Sequence, residues 1–230
     1  MTDVPGPLLA SGRAADVYDI GDGKVLRRYR ESRHDLDAEV AVMRHVAERS
    51  YPVPTVHSFD GIDLVMDRID GPTMLESLDA APWKLVWHAR VLARLQRKLA
   101  RIAAPDWLLA GDAAGDRAQS ILHLDLHPMN VIMSPNGPVV IDWTNAAGGP
   151  AGFDAAMTFV EISTFPTSSP RDRIGQQVFA RSFRRFRGSK VIDPYIVAAC
   201  DHRLKDAGTL PEERVAVAAL RRKSASREST

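Results

Sequence analysis

Two short stretches gather residue types that do chemistry together, His123-Leu124-Asp125-Leu126-His127-Pro128-Met129-Asn130 and Val139-Val140-Ile141-Asp142-Trp143. They set two imidazoles, two carboxylates and an amide at the ends of short apolar runs. Asn136-Gly137 between two such runs is a hairpin signal, so these polar tips are expected to converge. Two carboxylates brought together repel unless a cation or a shared proton lies between them. Asn130 and Asp142 offer the oxygen ligands that Mg²⁺ accepts beside phosphate and water. Asp125 is then free to orient and deprotonate a hydroxyl. A base for the acceptor, a metal for the phosphates and little covalent work by the protein are the requirements of phosphoryl transfer.

The elements that must position these residues follow from periodicity. Alternation over Ala15 to Ile20, a Gly21-Asp22-Gly23 turn and Lys24 to Tyr29 predict a β-hairpin. Apolar Leu36, Val40, Met43 and Val46 recur at helical spacing from Asp35 to about Arg49, where Pro52-Val53-Pro54 breaks the pattern. Glu39 sits on or beside that apolar stripe, where an unpaired charge is costly, so a cationic partner is expected. Short strands around Val56 to Phe59 and Ile62 to Met66 complete a small mixed sheet with one helix. Beyond Asp70-Gly71-Pro72 the pattern becomes mainly helical. A stripe of Leu85, Ala89, Leu92, Leu95, Leu99 and Ile102 marks a core helix opened by Pro82. A Gly/Asp-rich loop spans Pro105 to Gln119, and strands are expected over Ile121–Leu124, Val131–Ser134 and Pro138–Asp142. Further helices are predicted over Phe153–Thr164, Arg173–Arg187, Pro194–Ala207 and Pro211–Arg222, with a disordered tail over 223–230. Trp83, Trp87 and Trp107 are expected to pack rather than to stack on bases.

The two motif stretches resemble the catalytic and metal-binding motifs of the aminoglycoside phosphotransferase and choline kinase-like family, small-molecule relatives of protein kinases. Kinase-type motifs place the catalytic Asp two residues after a His and five before an Asn, then a second Asp after a hairpin, and every spacing is met. His127-Pro128 and Trp143 favour the small-molecule branch. The resemblance spans roughly residues 10 to 165. It implies an α+β, protein kinase-like two-lobed fold: an N-lobe over 1–70 with a hinge about 65–71, and a helical C-lobe over 71–222 with the catalytic loop and metal site. It also implies an ATP- or GTP-dependent, Mg²⁺-dependent transfer of the γ-phosphoryl group to a small-molecule hydroxyl. Asp125 would be the base, with His123 and His127 beside it, and Asn130 and Asp142 the metal ligands. Ser11-Gly12-Arg13-Ala14-Ala15 is similar to the family's phosphate-covering turn. Arg27 stands where a strand lysine is usual, with Lys24 and Arg28 as neighbours able to share its role, and Glu39 matches the helix carboxylate paired to it. Met66, Asp67, Arg68 and Ile69 match the adenine-binding hinge. Asp154 matches an anchor of the catalytic loop, although a helix N-cap is an equally good local reading.

Composition narrows the alternatives. With 230 residues and a single cysteine, Cys200, the chain offers no internal disulfide and no cysteine-rich zinc site, as in a reducing, cytoplasmic setting. No apolar run is long enough for a membrane span. The formal charge of +1 conceals an acidic front, 16 Lys/Arg against 21 Asp/Glu over residues 1–154, and a basic back, 14 against 8. Arg181, Arg184, Arg185 and Arg187 alternate with Phe183 and Phe186 at helical spacing, which reads as a solvated helix face rather than a nucleic-acid surface. The expected partner is a small-molecule hydroxyl compound, with neither nucleic acid nor membrane involved, and a monomer or weak dimer. A basic segment where the acceptor is expected disfavours a polycationic drug, and few residues after Asp154 point to a small or shallowly bound acceptor. Two other functions stay open: a nucleotide-binding pseudokinase or regulator, suggested by Arg27 and the glycine-poor turn, and a His/Asp metallohydrolase built on His123, Asp125, His127 and Asp142.

Overall fold

The computed structural model describes residues 6–12, 15–30, 35–109, 120–206 and 208–228. Arg13 and Ala14 of the phosphate-covering turn, and residues 110–119 of the Gly/Asp-rich loop, lie outside the described residues. The chain divides into two compact units, Met1–Pro72 with Val131–Asn145, and Thr73–Asn130 with Ala146–Thr230.

The first unit is built on a five-stranded sheet, ordered β1-β2-β3-β5-β4, from β1 (Leu8–Ser11), β2 (Ala15–Gly21), β3 (Lys24–Tyr29), β4 (Val56–Phe59) and β5 (Asp63–Asp67). Every ladder is antiparallel, which corrects the expectation of a mixed sheet. Short turns join β2 to β3 and β4 to β5, and such turns can only reverse the chain. Between β2 and β3, Gly21 pairs with Lys24, and Asp22 and Gly23 adopt φ of 49° and 67°, the left-handed backbone a two-residue hairpin turn requires. Helix α1 (Asp35–Glu48) buries Leu36, Val40, Met43 and Val46 as the periodicity predicts, together with Val42 and Glu39. Strands β7 (Val131–Ser134) and β8 (Gly137–Val140) form the hairpin read from Asn136-Gly137. It is fixed within this unit by Met133 N donating to Pro72 O and Val140 N to Pro52 O, each at 2.8 Å. Gly71 makes the first contact possible: its φ is +143°, and a Cβ there would lie 2.5 Å from Met133 O.

The second unit is mainly helical. Helix α2 (Met74–Ala80) starts at a capping box, Thr73 Oγ1 accepting from Glu76 N at 3.1 Å and Glu76 accepting from Thr73 N at 2.7 Å. A 3₁₀ turn over Pro82–Lys84 leads into α3 (Leu85–Leu99), whose buried stripe includes Ala89, Leu92, Leu95 and Leu99. Trp83, Trp87 and Trp107 do not pack as expected, being 79%, 52% and 50% exposed. Trp87 lies two residues beyond Leu85, about 200° around the helix and off that stripe. Strand β6 (Ser120–Leu122) pairs with β9 (Ala147–Gly149), and α4 (Ala151–Thr164) follows, buried on nearly every side. Helices α5 (Pro170–Arg187), α6 (Ser189–Ile192), α7 (Ile196–Lys205) and α8 (Pro211–Glu228) complete the unit. On α5 Phe183 is buried, and so is Arg187, which leaves the solvated face to the other arginines. Helix α8 runs on through Lys223–Glu228, where composition predicted disorder; its Arg, Lys, Ala and Glu are good helix formers that extend a helix already packed on α7. Among the described residues no helix is long and apolar enough to cross a membrane.

Candidate active site

The central strand of the first unit explains the odd charge on α1. Arg27 Nη1 donates to Glu39 Oε1 at 2.9 Å, and Tyr29, two residues along the same face of β3, donates its hydroxyl to Glu39 Oε2 at 2.6 Å. The Arg27 guanidinium also lies 4.8 Å from the centre of the Tyr29 ring. Burial pulls the Arg27 pKa down, but the charges of Glu39, Tyr29 and Asp142 outweigh it and hold it above its ordinary value. Burial pushes Glu39 up, and Arg27, Tyr29 and the backbone N–H of Trp143 offset this only in part. Arg28 is bound to Asp63 through two contacts of 2.7 and 2.5 Å, so Arg27 is the residue of β3 that meets the helix carboxylate.

Asp142 emerges from β8 in the left-handed region, with φ of 64°. That conformation costs an ordinary residue about 1–2 kcal/mol, and Asp is among the few that tolerate it. Its Oδ1 accepts from Arg27 Nη2 at 3.1 Å and from Thr144 Oγ1 at 2.5 Å, and its side chain is 41% exposed. The next residue, Trp143, is fully buried, donates its indole N–H to Val140 O at 3.2 Å and meets Tyr51 edge-on. One side chain is thus anchored so that its neighbour can face outward.

In the second unit the loop after β6 brings Asp125, His127 and Asn130 together. Asn130 Nδ2 donates to the Asp125 main-chain oxygen at 2.8 Å and to Asp125 Oδ2 at 3.0 Å. With its nitrogen so engaged, the Asn130 amide oxygen is the atom left for a cation. His127 Nδ1 accepts from Met129 N at 3.2 Å, which puts the ring proton on Nε2, 3.4 Å from Asp125 Oδ1. Burial raises the Asp125 pKa, but the neighbouring His127, His123 and Glu161 hold it below the ordinary carboxylate value.

A second left-handed residue, Leu124 at φ 63°, lies just before Asp125. Asp154 on α4 holds it there, its Oδ1 accepting from His123 N at 3.1 Å and Leu124 N at 2.7 Å, while Gln96 Nε2 donates to Oδ2 at 3.0 Å. Asp154 caps no helix: the N-cap of α4 is Pro150, and Asp154 is 2% exposed inside it. Its pKa is raised by burial against those donors. His123 is fully buried beneath the loop.

Ser11 ends β1 and Gly12 follows it: Ser11 Oγ donates to Asp16 at 2.6 Å, and Gly12 N donates to Ala15 O at 2.9 Å. Met66 and Asp67 end β5, and Arg68 and Ile69 follow it. The amides of Asp67 and Arg68 are used within the unit, by Thr55 O at 3.0 Å and Gly23 O at 2.8 Å. The Asp67 carboxylate binds His57 at 2.7 Å, and the Arg68 side chain binds Asp19 and Asp70. Among the described residues no three His, Cys, Asp or Glu side chains converge as metal ligands, so the metallohydrolase reading lacks its donor set there. Sequence reasoning missed Tyr29, Thr144 and Glu161. Glu161 carried a usable signal, an acid in the apolar run Ala155-Ala156-Met157-Thr158-Phe159-Val160-Glu161-Ile162.

A small antiparallel sheet with one helix and a mainly helical second part is the protein kinase-like α+β class. The chain belongs to the phosphotransferase enzyme family, which its sequence matches over residues 6–97 and 61–188. It is a small-molecule kinase with a hydroxyl acceptor. The fold is similar to a thermostable mutant of aminoglycoside phosphotransferase APH(4)-Ia in ternary complex with AMP-PNP and hygromycin B, at 16% identity, TM-score 0.68, 97% of this chain and 94% of that one. It is also similar to ADP-bound aminoglycoside phosphotransferase APH(2'')-Ib, at 14% identity, TM-score 0.63, with 93% and 90% covered. A streptomycin–ATP complex of APH(2'')-IIa matches at 13% identity and TM-score 0.60, with 86% and 82% covered. No curated protein matches the sequence.

Proposed function

We propose that the protein transfers the γ-phosphoryl group of ATP, or of GTP, to a hydroxyl of a small molecule, with Asp125 as the base. The observation that carries this reading is the state of Asp125. It is a carboxylate held below its ordinary pKa, accepting from Asn130 at 3.0 Å with His127 Nε2 3.4 Å away, on a loop whose backbone is fixed by Asp154. An ionised, oriented carboxylate accepts the hydroxyl proton as the acceptor oxygen attacks.

The residues present fit Mg²⁺. Asp142 is half-exposed with only Oδ1 engaged among the described residues, and Asn130 presents its amide oxygen; both are hard ligands. When bound, the ion would neutralise phosphate charge. Arg27, charged and braced by Glu39, contributes a fixed cation for phosphate. Ser11 and Gly12 would cover the phosphates, and Met66 through Ile69 would meet the adenine through main-chain groups; with the amides of Asp67 and Arg68 engaged, that leaves carbonyls and the Ile69 amide. His123 supports the loop from below, and His127 orients Asp125. The net charge of the C-terminal part favours an acceptor that is not polycationic.

The test is to incubate the full chain with γ-labelled ATP or GTP, Mg²⁺ and a panel of sugars, amino alcohols and aminoglycosides, following the label. Label on an acceptor supports the proposal. Nucleotide binding without transfer to any acceptor would establish a nucleotide-binding regulator instead.

A further inference from the structure

Two sets of residues have no part in the site around Asp125 and Asp142: the exposed tryptophans at the start of α3 and the arginines of α5. They share one surface. A Cβ on Gly175, early in α5, would lie 3.7 Å from Leu85 at the start of α3. Near the other end of both helices, Arg97 Nη1 donates to Phe186 O at 2.7 Å. The helices therefore lie side by side and run parallel. Each buries its inner side, α3 through Leu92, Leu95 and Leu99 and α5 through Phe179 and Phe183, so their outer sides are contiguous. Both outer sides carry the same pattern. Trp83, in the turn before α3, and Trp87 are followed at helical spacing by Arg90 and Arg94. On α5, Ile174 and Val178, 64% and 40% exposed, are followed at the same spacing by Arg181 and Arg185. The parallel course puts the apolar ends together and the arginine ends together.

We propose that this face docks on the surface of a membrane that carries anionic lipid. That departs from the expectation of no membrane contact, which followed from the lack of a spanning run. Charge calls for an anionic partner. Helix α3 contains no acid, and the one acid of α5, Asp172, sits in its first turn, where Ser168 Oγ donates to it at 3.2 Å. Among the described residues no carboxylate pairs with Arg94, Arg181 or Arg185; Arg184 is held by Asp193, and Arg90 lies 5.9 Å from the centre of the Phe186 ring. The order along the axes favours lipid over an acidic protein. At about 1.5 Å per residue, Arg90 and Arg94 stand about 4.5 and 10 Å behind Trp87, and Arg181 and Arg185 the same distances behind Val178. A bilayer has that layering: indole and aliphatic side chains lodge at the acyl boundary, with phosphates above them. An apolar face enters the interface by about 5–10 Å, which brings the arginines level with phosphate. Lys84, Arg171 and Arg173 flank the apolar end, and their long stems let the charges reach the headgroups. None of these residues belongs to the Asp125 site, so the surface stands apart from the phosphotransfer reading.

The experiment is flotation of the full chain with vesicles of phosphatidylcholine alone, or of an equal mixture of phosphatidylcholine and phosphatidylglycerol. Expected is binding to the mixed vesicles only, weakened by salt, with tryptophan emission moving to shorter wavelength. Arg94→Gln combined with Arg185→Gln should weaken binding about 25-fold, about fivefold for each charge lost. Trp83→Ser combined with Trp87→Ser should remove the emission shift. Circular dichroism checks that both double variants keep the fold; should either not, quenching of the parent chain's emission by lipids brominated in the acyl chain decides the matter. No binding to the mixed vesicles, equal binding to neutral ones, or an affinity unchanged in both folded double variants would overturn the proposal. Binding of poly-glutamate without partition into vesicles would make this a protein-docking face and overturn the lipid assignment.

Discussion

Arg27 donates from Nη2 to Oδ1 of Asp142 over 3.1 Å, although the two residues lie 115 positions apart, while its Nη1 holds Glu39 at 2.9 Å. A guanidinium has two terminal nitrogens in a fixed fork, so it serves both carboxylates at once, where a single ammonium would have to bridge them from one atom. Strand β3, helix α1 and Asp142, two residues beyond β8, are thereby tied through one cation.

Removing that cation leaves Glu39 buried without its counter-charge. Arg27→Met is expected to lower the unfolding free energy by about 3–5 kcal/mol, and Arg27→Lys by less, since charge is kept while one contact is lost. Urea unfolding of the two variants checks the order; equal stability of Arg27→Met and the parent chain would contradict it.

The anchor of the Asp125 loop is open to a similar test. Asp154→Ala strips the acceptor from the amides of His123 and Leu124, at about 1–3 kcal/mol for each buried donor left unpaired, and frees Leu124 to leave the left-handed region. Asp154→Asn keeps an oxygen and is expected to lie between. Phosphoryl transfer should fall further than the fraction unfolded explains, measured by denaturant titration beside the transfer assay.

How much of this was legible in the sequence depended on whether a residue announced itself. Glu39 did, because a charge on the apolar stripe of α1 demanded a partner, and Asp125, Asn130 and Asp142 did through their joint spacing. Arg27 and Asp154 were placed by the family resemblance, and the structure adds their contacts. Tyr29 was invisible, since a tyrosine ending a strand is ordinary, and its bond to Glu39 exists only once β3 and α1 pack. Glu161 announced itself as an acid in an apolar run and was passed over, since a helix apolar on nearly every side has no stripe to say which neighbour the acid meets. Strand β1 was missed because Leu8 and Leu9 are both exposed and show no alternation. Helix α2 is only two turns long, yet Thr73-Met74-Leu75-Glu76 is a capping-box pattern that would have located it.

Stability should also depend on pH through Glu161. Its pKa is raised in the folded state, so between the ordinary glutamate value of about 4.3 and the raised one the folded state binds more protons than the unfolded, and stability falls as pH rises through that window. Glu161→Gln, which cannot ionise, is expected to lack this loss. Unfolding free energies of both chains at several pH values above 4 check the sign; parallel curves would contradict it.

Backbone constraint gives a fourth expectation. Gly71→Ala places a Cβ 2.5 Å from Met133 O at a φ of +143°, so main chain must move, and the melting temperature should drop. A chain as stable as the parent would show that the junction of Pro72 with β7 is looser than its hydrogen bond indicates.

The most direct measurement compares nucleotide binding and phosphoryl transfer in Asp125→Asn against the parent chain, with Mg²⁺ and an accepted hydroxyl compound. A general base contributes about 10²–10⁴-fold. Transfer should therefore fall by about that factor while the nucleotide Kd stays nearly unchanged, and transfer at the parent rate would contradict the role assigned to Asp125.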